Sequence, residues 1–335
     1  MSMKKVLLLV GILIAAAFVL TACAGEPGPA GPQGEPGPAG PQGEPGPALT
    51  TADLSCTECH NDTNLISGKM AAWEASLHGS GEAFLEEYNR ADCAGCHSGG
   101  AFSAMVAAGL APNAIEAGDT DPTRQDCRTC HQIHTTYTAA DWALETTAPV
   151  AMFASGSTFD KGSGNLCANC HQARRYIAAA TDGLVDVNSR FGPHHGPQSD
   201  MLLGLGGAGA VTGSPSAHYS MTENSCVTCH LGEGGNHTFE PTVTACTACH
   251  VDAEDFDING FQTEVEGLLA QLEEALKTAG LLDAEGEIVA GKFPEAQAQA
   301  LWNYIFIKFE DKSLGVHNSA YTEALLDASL AVFGE

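Results

Sequence analysis

Cys56-Thr57-Glu58-Cys59-His60 opens a series that continues as Cys93-Ala94-Gly95-Cys96-His97, Cys127-Arg128-Thr129-Cys130-His131 and Cys167-Ala168-Asn169-Cys170-His171. It closes with Cys226-Val227-Thr228-Cys229-His230 and Cys246-Thr247-Ala248-Cys249-His250. Six times, two cysteines stand three apart and a histidine follows at once. Paired CxxC segments can build zinc sites, and a lone CxxC can serve as a redox disulfide, but neither demands histidine as the next residue. Covalent attachment of haem does. Two thiols on adjacent turns reach the two vinyl groups of one porphyrin, and the next residue turns its imidazole to the iron as the proximal ligand. The spacing predicts six covalently bound c-type haems.

Histidine arithmetic extends the motif. The chain has 13 His. Six are the proximal His60, His97, His131, His171, His230 and His250, which leaves His78, His134, His194, His195, His218, His237 and His317 as candidate distal ligands. Six bis-histidine haems need six of these seven. The surplus falls naturally on the adjacent pair His194-His195, since neighbouring residues rarely aim at two irons. His134 stands three after His131 and cannot reach the opposite face of the same porphyrin, so it is expected to serve a neighbouring haem. His218 and His237 lie shortly before Cys226 and Cys246, and each can fold across to a haem other than the one that follows. His317 requires the C-terminal region to fold back onto the haems. Methionine is the competing distal ligand. With enough histidine available, Met70, Met105, Met152, Met201 and Met221 read as packing residues against porphyrin faces.

Composition agrees with this reading. Net charge is −27, from 14 Lys+Arg against 41 Asp+Glu, and aromatic residues make up 7%. So acidic a chain is a poor nucleic-acid ligand, because phosphate binding needs clustered Lys and Arg. An ordinary core would be thin with so few aromatics. The motifs follow one another at steps of 37, 34, 40, 59 and 20 residues, so closely packed haems are expected to form much of the core. The fold class predicted is mainly α with extensive loops and little β-sheet. The glycine-rich run from Gly204 to Ala210 reads as a loop rather than a nucleotide-binding fingerprint, because no strand–helix unit surrounds it.

The N-terminus predicts export. Lys4 and Lys5 precede an apolar run over residues 6–20, too short for a typical membrane span. Leu20-Thr21-Ala22-Cys23 then resembles a bacterial lipoprotein box, which implies cleavage before Cys23 and lipidation of its thiol. Acyl chains would hold the protein on a membrane, each buried CH₂ contributing about 0.8 kcal/mol. Residues 25–48 are consecutive Gly-X-Y triplets. Such a segment adopts extended polyproline II and reaches about 75 Å. It reads either as a single-chain spacer or as a homotrimerising triple helix. The short run and the like-charge rings formed by Glu26, Glu35 and Glu44 favour the spacer.

At the C-terminus the apolar positions Ile258, Phe261, Val265, Leu268, Leu269, Leu272 and Leu276 recur at helical spacing, ending at Gly280. A second helix is predicted over 296–309 with Leu301, Trp302, Ile305, Phe306 and Phe309 apolar. A third begins near Asn318 or Ser319, so His317 would be delivered from the turn between the last two. The domain plan is a signal peptide (1–22), a lipidated stalk (23–50), a hexahaem region (51–256) and a helical region (257–335).

The six motifs resemble those of bacterial multihaem c-type cytochromes. Trp73 with His78, Gly192-Pro193-His194-His195-Gly196-Pro197-Gln198, Trp302-Asn303-Tyr304 and Gly315-Val316-His317-Asn318 are similar to phrases of the wider superfamily. That superfamily includes cytochrome c nitrite reductase, octahaem hydroxylamine-oxidising and tetrathionate-reducing enzymes, and extracellular electron conduits. Its nitrite reductases use lysine in place of the motif histidine at the catalytic haem, whereas all six positions here are histidine. Family similarity alone does not give the activity; the histidine count, enough to close every iron, and the N-terminal anchor point to an electron carrier with redox protein partners or extracellular acceptors, anchored at a periplasmic or cell-surface face. A reductase of a small nitrogen or sulfur oxyanion is the alternative. It would need an open iron and a local basic patch, for which Arg174 and Arg175 are the candidates. A haem filament, with one distal histidine crossing between subunits, is a third reading.

Overall fold

The computed structural model describes residues 64–334 apart from Asn113, His195 and Glu233. The export signal, Cys23, the Gly-X-Y stalk, the first motif (Cys56, Cys59, His60) and His195 thus lie outside the described residues. Among the described residues the chain is mainly helical with long loops and two small antiparallel sheets, as the sequence predicts. No helix among them is long and apolar enough to cross a membrane.

Through residue 250 the elements are short. Helices α1 (Asn64–Ala75), α2 (Leu77–Ser80), α3 (Ala91–His97), α4 (Gly99–Ala107) and α5 (Cys127–Cys130) come first. The two-residue strands β1 (Val150–Ala151) and β2 (Thr158–Phe159) pair antiparallel, Val150 opposite Phe159. Helices α6 (Gly164–Ala168), α7 (Gln198–Leu203), α8 (Ala217–Met221), α9 (Cys226–His230) and α10 (Val243–Cys246) follow. Protein-only apolar clusters here are small: one joins Phe102, Met105 and Leu166, another Val150, Met152, Phe159, Ala168, Leu202 and Leu203. Met105, Met152 and Met201 are buried among protein side chains, not on the open surface where Met70 and Met221 lie.

The C-terminal region is different and holds a conventional core. Helices α11 (Phe261–Thr278), α12 (Glu295–Ile305) and α13 (Ser319–Ala331) bury Leu272, Leu276, Leu301, Trp302, Tyr304, Phe306, Leu325 and Leu326 against one another. Strand β4 (Gly291–Pro294) leads into α12 and pairs antiparallel with β3 (Leu184–Val187). This is the helical region the sequence predicts, and four aromatics, Trp302, Tyr304, Phe306 and Tyr321, are buried in it. Ile258 precedes α11 in a separate 3₁₀ turn.

Two departures from the helical expectation matter. Helix α12 does not run on as an α-helix to residue 309 but continues as a π-helical turn, Phe306–Asp311. A π turn inserts one residue and rotates the following face. Phe309, expected to point inward, is 47% exposed, while Glu310 and Asp311 turn in and are buried. The second concerns the glycine-rich loop, which is clamped onto the C-terminal helices. Trp302 Nε1 donates to Gly206 O (2.8 Å), and Asn303 brackets Ala208 through its N–H and carbonyl (2.7 and 3.2 Å). A Cβ on Gly207 would stand 2.4 Å from Leu325 Cδ2, so only glycine permits that approach.

Candidate cofactor sites

The second, third and fifth motifs sit on α3, α5 and α9, while the fourth and sixth begin in α6 and α10 and finish in a turn. In a helix, residues three apart share a face, which places the two thiols of CxxC side by side. The turn is completed by the motif histidine, whose N–H donates to the carbonyl of the first cysteine: His131 to Cys127 (2.8 Å), His171 to Cys167 (2.9 Å), His250 to Cys246 (2.8 Å). In α5 a capping box fixes the start. The Asp126 carboxylate accepts from Arg128 N and Thr129 N, and Thr129 Oγ1 accepts from Asp126 N. The ten described motif cysteines are unbridged. No group of three or more His, Cys, Asp or Glu converges among the described residues as a zinc site would require.

The histidines are paired. His97 faces His194 with ring centroids 6.2 Å apart, His131 faces His237 at 6.3 Å, His171 faces His78 at 6.1 Å, His230 faces His317 at 6.3 Å and His250 faces His218 at 6.2 Å. Every pair joins one motif histidine to one candidate distal histidine. The interplanar angles run from 25° to 68° while the distance stays nearly constant. Direct ring contact would not behave so, because stacked and edge-on rings settle at different separations. A common axial spacer would. With metal–imidazole bonds of about 2 Å and about 1.1 Å from ring nitrogen to ring centre, two trans imidazoles have centroids roughly 6.3 Å apart.

Hydrogen bonds fix which nitrogen is available. Nδ1 of His97 meets Ala83 O (2.9 Å), that of His131 Trp142 O (2.7 Å) and that of His230 Phe239 O (2.8 Å). On the other side, Nδ1 of His237 meets Gly235 O (2.8 Å) and that of His218 Val316 O (2.5 Å). His171 Nδ1 meets Gln198 Oε1 (3.1 Å) and His317 Nδ1 meets Asp311 Oδ1 (2.7 Å). An Nδ1–H donated to a carbonyl leaves the Nε2 lone pair for a metal. Burial also disfavours the charged ring: it brings His78 down to about 4, with His171 adding to the effect, and lowers His171, His230 and His237. At His317 burial acts the same way, but the Asp311 carboxylate overrides it and raises the pKa.

The surroundings fit a porphyrin better than a bare ion. Apolar side chains beside the imidazole pairs are left in the open: Leu77 is 87% exposed next to His78, and Val251 77% next to His250. A flat apolar macrocycle between the rings would cover such side chains. The attachment segments also touch one another. The second and fourth motifs meet at Cys96 and Cys170. Around them Cys96 Sγ approaches Asn169 O (3.8 Å) and Cys170 Sγ approaches Gly95 O (3.9 Å). Cys167 stands beside Cys226 and brings the Cys226 thiol down to about 7.

The structure thus brings together five of the proximal histidines with five of the seven distal candidates. Of the His194-His195 pair, the described residue His194 faces the motif histidine His97. It does so with φ of 79°, in the left-handed region that a non-glycine residue enters at a cost of about 1–2 kcal/mol. The bond from Arg174 N to Pro193 O (3.0 Å) ties this loop to the fourth motif. His134 also has positive φ (64°) and stacks on Tyr137 at 5.4 Å. The basic patch expected at Arg174 and Arg175 is already engaged. Arg174 pairs with Asp92 at 2.5 Å, and Arg175 donates to the carbonyls of Gly192 and Arg190. Sequence reasoning missed Gln198 and Asp311, which bind the Nδ1 atoms of His171 and His317. Gln198 stands within the quoted Gly192–Gln198 phrase, but Asp311 carries no sequence signal, because its burial depends on the π turn.

No family model matches the chain, and no curated protein matches it. The fold is similar to a solved structure described as outer cell wall cytochrome OcwA, with a TM-score of 0.53 and 22% sequence identity. The likeness covers 79% of this chain and 50% of the other, so this chain spans about half the length of that structure.

Proposed function

We propose that the chain is a hexahaem c-type cytochrome that passes electrons between redox partners and catalyses no reaction on a substrate of its own. The observation that carries this reading is the set of five imidazole pairs at 6.1–6.3 Å, each joining an attachment-motif histidine to a second histidine. When bound, the haems would supply one-electron exchange between Fe(III) and Fe(II). Cys93, Cys96, Cys127, Cys130, Cys167, Cys170, Cys226, Cys229, Cys246 and Cys249 would hold five of them as thioethers. The pairs His97–His194, His131–His237, His171–His78, His230–His317 and His250–His218 would close both axial positions. Cys56, Cys59 and His60 would hold the sixth, with His134 rather than His195 as the second ligand, since His194 is already matched and adjacent histidines would have to reach two irons.

The residues serve transfer rather than turnover. Two imidazoles held to one iron would leave no place there for a substrate, and the seven Nδ1 bonds would keep those rings from swinging away. All five pairs close within one chain, which supports a discrete carrier over a filament that shares a ligand between subunits. The proximity of Cys96 to Cys170 and of Cys167 to Cys226 supports a relay through the second, fourth and fifth motifs. In this reading the export signal, a lipid on Cys23 and the Gly-X-Y spacer hold the carrier away from a membrane. A fold shared with a cytochrome described as belonging to the outer cell wall supports a surface setting. The charge of −27 would draw a basic partner, with an on-rate that falls as salt rises.

Electron paramagnetic resonance of the oxidised full chain tests the proposal. Six low-spin ferric haems and no high-spin signal are expected, together with an intact mass higher by six haems. A high-spin signal that moves on adding nitrite or hydroxylamine would sink the carrier reading and favour a reductase.

A further inference from the structure

Among the seven Nδ1 bonds described above, six end on neutral oxygens, five of them backbone carbonyls and one the side-chain amide of Gln198. The seventh ends on a carboxylate: His317 to Asp311, 2.7 Å. Asp311 is 2% exposed and is held in place by Ser313, whose N–H donates to Oδ2 at 3.2 Å and whose hydroxyl donates to the same oxygen. The π turn that buries Asp311 also presents the Glu310 and Asp311 carbonyls to Gln198 Nε2 (3.0 and 3.3 Å).

We propose that Asp311 lowers the reduction potential of the His230–His317 haem. The claim rests on the ligand reading above and deepens it. A carboxylate that accepts the Nδ1–H makes the imidazole a stronger donor and places negative charge beside the iron. That favours Fe(III) over Fe(II), and the effect is larger where water is excluded. The couple is Fe(III) plus one electron giving Fe(II). The electron comes from the neighbouring haem of the fourth or sixth motif, whose iron passes from Fe(II) to Fe(III). Asp311 touches the ligand and not the iron, so it is a positioning residue.

Spectropotentiometric titration of the full haem-loaded chain, read together with paramagnetic resonance, tests this. D311N should leave six low-spin haems and move one of them to higher potential, at least tenfold in its equilibrium constant or about 59 mV for one electron. H317M identifies that haem, because its low-spin signal alone should change. Six unchanged potentials in D311N would overturn the tuning role with the ligand reading intact. An H317M variant with all six original signals would overturn the ligand reading itself. If D311N does not fold, S313A removes a competing donor to the carboxylate and should move the same haem to lower potential; no movement there also overturns the proposal.

Discussion

His237 faces His131 across 6.3 Å, although 106 residues separate them and His237 precedes the sixth motif by only nine. Proximity in the chain is thus a poor guide to partnership. His237→Ala is expected to convert one low-spin haem to high-spin, leaving the other five unchanged. His237→Met should keep that haem low-spin but raise its potential, because thioether sulfur favours Fe(II) more than imidazole does. The paired variants separate a ligand from a packing residue: a histidine that merely filled space would move neither signal.

The same relation shows what the sequence could carry. Six CxxCH units are local chemistry, complete within five residues, and they mark the proposed attachment sites without reference to the fold. The choice of distal ligand is tertiary. His218 passes over Cys226, eight residues on, and meets His250, while His317 returns to His230. Counting predicted that most of these residues would be used, but not in which pairs. Helix α13 was legible because Asn318 caps it and its apolar spacing is regular. The π turn was not, since an α-period read through Phe309 has no local mark to break it. The buried Asp311 follows from that one inserted residue.

Glu273 anchors the C-terminal helices through its carboxylate, which accepts from Lys277 (2.8 Å), Lys308 (2.5 Å) and Tyr304 (2.6 Å). These bonds hold it down to about 2, against an ordinary value of 4.5. A depressed carboxylate stabilises the fold above its unfolded pKa and loses that contribution as pH falls through the folded one. The loss should therefore fall between pH 4.5 and 2. With the group partly solvated, it should amount to about 1 kcal/mol. Thermal unfolding of E273Q against the native chain checks this. The difference between them should be present at pH 7 and gone near pH 2.

Gly207 lies where Leu325 and the Tyr321 hydroxyl leave no room for a methyl group; its Cβ would stand 2.4 and 2.7 Å from them. G207A should cost roughly 1–3 kcal/mol by overpacking. Leu325→Val in the same chain should recover part of that loss, because the clash is with the Leu325 side chain. Denaturant unfolding of the single and double variants decides it, and strictly additive losses would rule out the contact as the cause.

The adjacent residues His194 and His195 and the distant His134 separate two arrangements of the sixth site. His194 is matched with His97 at 6.2 Å, so either His134 or His195 completes the ligand count for His60. His134 is favoured. It is held in a left-handed conformation directly after the third motif, against Tyr137. A second ligand from His195 would require adjacent side chains to reach two irons at once. H134A should therefore produce one high-spin ferric haem, and H195A should leave six low-spin signals. H194A should likewise open one site, and the H134A/H194A pair should open two, since the two act on different irons. The reverse outcome, a high-spin signal in H195A and none in H134A, would reassign the sixth ligand to His195 and make His134 a packing residue.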